Sequence, residues 1–94
     1  LGHPIGDHET AQLADGYRAR GDALERSAGA LQGLPQQREF LIRSRDAYKQ
    51  ALDLYAKIAG YADVPARMRA TQKRFEVIEQ KLQGIDLFGW LPWA

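Results

Sequence analysis

His3, Asp7, His8 and Glu9 crowd the first nine residues and are the one cluster of metal-ligating type in this 94-residue chain. Two histidines five residues apart in a terminal stretch make a poor chelate, because a metal site needs ligands held in orientation by hydrogen bonds from behind. Nucleophilic chemistry needs an activated hydroxyl or thiol beside a base. The chain has no cysteine, its only serines are Ser27 and Ser44, and both histidines lie far from them in sequence. Paired carboxylates do acid-base work when burial splits their affinities for protons. Asp15, Asp22, Glu25, Asp46, Asp53 and Glu76 instead alternate with bases along what should be wet helix faces. Gly16, Gly21 and Gly29 lie within a helical pattern and lack the Lys-Ser/Thr of a phosphate-binding loop. These residues predict no enzyme activity, no cofactor and no metal.

Basic residues raise a different chemistry. Residues 1–32 carry five acids against three arginines, residues 33–75 nine bases against four acids, and residues 76–94 three acids against Lys81. Within the basic middle, Arg67, Arg69, Lys73 and Arg74 form a run with no acid inside it. Nucleic-acid binders show a stronger stripe and a pI above about 9, whereas this chain has a pI near 8.3. The run is therefore read first as a solvated helix face, and nucleic-acid binding is only the third functional reading of the chain.

The elements that must carry these residues are helices. One domain fits 94 residues, with a modest core. Val64, Met68, Thr71, Phe75, Ile78 and Leu82 recur at alternating spacings of four and three, a heptad-like seam. Leu41, Ser44, Tyr48, Ala51, Tyr55 and Ile58 form a second seam, and Leu13, Tyr17, Leu24, Ala28 and Leu31 a weaker first one, with Arg20 where an apolar residue belongs. Gly33, Gly60 and Gly84 follow the three seams as C-terminal caps. Pro35 and Pro65 open the later helices, and Asp7 and Asp63 are placed to cap helix starts. The spacing predicts an all-α, antiparallel three-helix up-down bundle, with helices over 8–32, 35–59 and 64–83. Residues 1–7 are read as a tail, 8–83 as the bundle, and 84–94 as an apolar aromatic extension. Glycines inside the first helix leave two readings open: one long helix, or a break at Gly21, where Asp22 and Glu25 have capping-box spacing.

Leu13-Ala14-Asp15-Gly16-Tyr17-Arg18-Ala19-Arg20-Gly21-Asp22 resembles the first helix and turn of a tetratricopeptide (TPR) repeat, and Ala51-Leu52-Asp53-Leu54-Tyr55 resembles the packing pair of a second helix. The match covers about a third of the chain, and Arg26 and Glu39 stand where that family places small residues. The resemblance implies a protein-binding scaffold without catalysis, turning at Gly21-Asp22.

Gly84-Ile85-Asp86-Leu87-Phe88-Gly89-Trp90-Leu91-Pro92-Trp93-Ala94 holds both tryptophans and one charged side chain. It is too short to span a bilayer. Three roles are open to it: covering the bundle's groove, entering a partner, or resting at a membrane interface, where Trp is favoured. The first residues lack the basic and apolar regions of a signal peptide, so an export signal is expected to have been removed or never to have existed. Absence of Cys suits cytoplasm and export alike. Nine arginines to four lysines, with fourteen alanines, suggest a GC-rich bacterial source. Taken together, the sequence predicts a non-enzymatic helical protein-protein interaction module, with Tyr48, Tyr55, Phe88, Trp90 and Trp93 as candidate partner-binding residues and self-association open to it. The alternative is an exported or envelope-associated bacterial protein whose segment 84–94 contacts membrane.

Overall fold

The computed structural model describes residues 6–88, with Phe88 as backbone only; His3, Trp90, Trp93 and the rest of 89–94 lie outside the described residues. Three helices follow one another: α1 over Asp7–Ala30, α2 over Gln36–Lys57 and α3 over Val64–Phe88. Their connections are runs of tight turns. Leu34 and Gln37 donate to Leu31 and Leu34, while Tyr61 and Val64 donate to Ile58 and Tyr61. Links this short force sequential helices antiparallel, so α1 and α3 run parallel on either side of α2. Gly33 takes the left-handed conformation at φ 83° as expected, and the second connection turns on Ala62 at φ 45° instead of Gly60.

Several boundaries differ from those expected. α3 passes through Gly84 and continues to Phe88, because Ile85 still finds apolar contacts and Asp86 is tied to Arg38 of α2 at 2.7 Å. Tertiary contact outweighs the roughly 1 kcal/mol cost of one helical glycine. At the start of α1, Gly6 is the capping residue and Asp7 the first helical one. The carboxylate of Asp63, ahead of α3, is taken by the Arg67 guanidinium at 2.7 Å.

α1 is one helix, so the turn that the TPR resemblance implies at Gly21-Asp22 does not form. Gly21 lies directly against α2: a β-carbon there would meet Tyr48 Cε1 at 2.6 Å. The Ser44 hydroxyl donates to the Gly21 carbonyl at 2.7 Å across the same contact. Here the glycine's flexibility cost is offset by packing that no other residue permits.

The α2 and α3 seams are the core. Leu41, Ser44, Tyr48, Ala51, Tyr55 and Ile58 are all buried, as are Val64, Thr71, Ile78 and Leu82, with Met68 and Phe75 partly so. The α1 seam is displaced from the one expected. Ala11, Ala14, Gly21 and Ala28 are the buried residues of α1, while Leu13 is 46% exposed and Arg20 faces solvent. Two tyrosine rings on α2 fill the space between the helices, so the facing helix must offer small residues. Two clusters result: Ala11, Ala14, Ala51, Tyr55, Ile58 and Val64 at one end, and Ala28, Leu41, Tyr48, Ile78 and Leu82 at the other.

Candidate functional site

Polar residues join the three helices in two layers seven residues apart. Tyr55 of α2 donates its hydroxyl to Asp15 of α1, and Arg67 of α3 reaches the same carboxylate at 3.1 Å. One heptad along, Tyr48 donates to Asp22 at 2.5 Å and lies 3.0 Å from Glu25. Arg74 grips Glu25 through two nitrogens, with Lys81 at 3.7 Å. Positions 15 and 22, 55 and 48, and 67 and 74 are all heptad partners, so the tyrosine–aspartate bond repeats on the same faces, while the arginine of the second layer goes to Glu25 instead of Asp22.

These layers fix the electrostatics. Burial drives the Tyr55 phenol up to about 12, reinforced by its hydrogen bond to Asp15. Burial, then the bonds to Asp22 and Glu25, push Tyr48 higher still. For Glu25 burial acts in the opposite sense, but hydrogen bonds from Arg74 and Tyr48 and the charges of Arg74 and Lys81 outweigh it and hold the carboxyl below its ordinary range. Every described buried side-chain nitrogen and oxygen has a partner, as an interior of low dielectric requires.

The sequence-predicted residues now have places. Tyr48 and Tyr55 are fully buried, with rings inside the bundle and hydroxyls engaged by acids of α1. They offer no surface to a partner in this fold, and the expectation that they anchor one is corrected. Trp90, Trp93 and the Phe88 side chain lie outside the described residues. Asp15, Asp22 and Glu25, expected on wet faces, instead sit half-buried in the α1–α3 seam. In the basic run, Arg67 and Arg74 serve these acids while Arg69 and Lys73 face solvent. Asp7, His8 and Glu9 occupy the first turn of α1, where His8 Nδ1 stands 3.5 Å from the Tyr61 hydroxyl.

Two surface features go beyond the sequence reading. Leu34, in the first connection, is not among the residues singled out above, and it is 52% exposed; Leu87, part of the expected apolar extension, is 55% exposed in the last turn of α3. Antiparallel packing puts them at the same end of the bundle, where Gln37 donates to the Ala28 carbonyl and Arg38 holds Asp86. The second is an open cleft of about 360 Å³ between α1 and α2, on the side away from α3, lined by Tyr17, Arg20, Arg43, Asp46, Ala47 and Gln50. Its signal was present in the stripe Leu13, Tyr17, Arg20, Leu24, assigned above to the core. A further cleft of about 400 Å³ on the α3 side is lined by Asp15, Arg18, Ala19, Asp22 and Arg67.

The fold thus defines an all-α protein: a three-helix bundle whose seams mix apolar and ionic contacts. No family model, curated protein or solved structure matches this chain.

Proposed function

We propose that this chain is a non-enzymatic helical protein-protein interaction module that docks a protein partner on its apolar end. The observation that supports this reading is the gathering of Leu34 and Leu87, each more than half exposed, at the end from which the sequence runs on into Gly89-Trp90-Leu91-Pro92-Trp93-Ala94. Aromatic and large apolar side chains supply most of the binding energy of protein interfaces. Contact between the same end and a membrane is the second reading, favoured by two tryptophans in a segment with no charge after Asp86.

Affinity capture from cell extract with the wild-type chain and with a Leu34→Glu, Leu87→Glu variant tests the first reading. Proteins retained by the wild type and released by the variant, with tryptophan emission indifferent to liposomes, support it. A blue shift of that emission on adding liposomes, abolished in the variant, transfers the end to the membrane reading. Capture unaffected by the two substitutions overturns the assignment of the site.

A further inference from the structure

α1 carries two heptad seams; α2 fills one and only partly covers the other, where Tyr17 packs against the core cluster of Ala14, Ala51 and Tyr55. The small-residue seam, Ala11, Ala14, Gly21 and Ala28, is buried. Around the helix lies a second, Leu13, Tyr17, Arg20, Leu24 and Leu31, in which Leu13 and Arg20 are exposed and the other three half-buried. Beside it α2 presents Phe40 and Leu54, half-buried where they pack against the two core clusters, and the cleft lined by Tyr17 and the buried Ala47 runs between the helices. A seam of this period is the surface a further helix packs against.

We infer that the occupant is a second copy of this chain, docked about a two-fold axis parallel to the helices. That operation sets α1 of each copy against α2 of the other, so every neighbour in the resulting four-helix core is antiparallel, the commonest way such bundles are built. It also keeps levels matched. Leu54 packs against the cluster that joins Ala14 of α1 to Ala51 and Tyr55 of α2, which puts Leu13, next to Ala14, at its level, so Leu13 of one copy meets Leu54 of the second. Leu24 correspondingly meets Phe40.

Charge complementarity selects this occupant. Arg20 and Asp46 line the same cleft at the same level. Arg20 makes no ion pair among the described residues, and Asp46 holds only its neighbour Arg45, at 3.3 Å. Within one copy the two charges stand on different helices of one face; across the two-fold axis each arginine meets the other copy's aspartate, giving two symmetry-related pairs at the centre of the interface. The face suffices in size. Two helices of 24 and 22 residues offer a strip about 35 Å long and about 20 Å wide, close to the ~800 Å² per partner of a standard interface. This face lies along the flank of the bundle, separate from the apolar end.

Sedimentation equilibrium of the full chain tests the inference. Arg20 and Asp46 are exposed, so Arg20→Asp and Asp46→Arg leave the protomer folded, which circular dichroism verifies. The wild type is expected to dimerise in the micromolar range, each single reversal to weaken association at least about tenfold by setting like charges together, and the double reversal to restore it. A wild type monomeric to ~100 μM, a dimer indifferent to both reversals, a double variant without rescue, or a dimer lost instead with Leu87→Glu would each overturn it.

Discussion

At Gly21 a single missing methyl group decides how closely two helices approach. Gly21→Ala forces a β-carbon into the Tyr48 ring and is expected to cost about 1–3 kcal/mol as overpacking. Gly16→Ala and Gly29→Ala meet nothing within 4 Å and should stabilise the same helix by about 0.5–1 kcal/mol. Urea denaturation of the three variants checks this, and equal effects at all three positions would refute the close contact. Tyr48→Phe leaves Asp22 and loosens Glu25, both half-buried, and is expected to cost about 1–3 kcal/mol. The sequence singles out Gly21 among three helix-weakening glycines, but as a candidate break; only the approach of a ring from another helix shows that it is required inside a continuous helix and that the other two are not.

Between elements, the parallel helices α1 and α3 are coupled through ions: Asp15 to Arg67, and Glu25 to Arg74 and Lys81. Their pH dependence has a defined sign. The Tyr48 and Tyr55 phenols are raised in the fold, against about 10 in an unfolded chain. Their contribution is fully present below that value and is lost as pH rises through about 12 for Tyr55. Glu25 is lowered, so its contribution is present above about 4.3, the unfolded value, and disappears as pH falls through its folded one. Thermal melts across pH should therefore show a plateau with an alkaline and an acid edge. Tyr48→Phe with Tyr55→Phe should abolish the alkaline edge, and Glu25→Gln should blunt the acid one; an alkaline edge that survives the loss of both phenols would show that other groups set it. Bases and acids were visible in the sequence, and so were the heptad spacings 15/22, 48/55 and 67/74. Their alignment into layers was not, because it depends on the relative rotation of three helices.

For the whole molecule the core is the test. Ile78→Ala, at a fully buried position, is expected to cost about 2–5 kcal/mol. Leu13→Ala, measured too dilute for association, should stay within about 0.5 kcal/mol, the range of surface substitutions. The seam expected from sequence reverses the weight of Leu13, so calorimetry on these two variants distinguishes the faces of α1 directly.

Three helices, their antiparallel order and two of the three buried faces were determined by sequence alone. Those properties follow from local rules: apolar residues at intervals of three and four, short links, and punctuation by Gly33, Pro35 and Pro65. Only the tertiary structure chose between the two seams of α1. Apolarity favours the stripe of Leu13, Tyr17 and Leu24, but the volume between the helices was already taken by Tyr48 and Tyr55, and a close-packed interior admits only alanine and glycine opposite them. Extension of α3 through Gly84 was decided in the same way, by contacts of Ile85 and Asp86 with α2 that no local pattern contains.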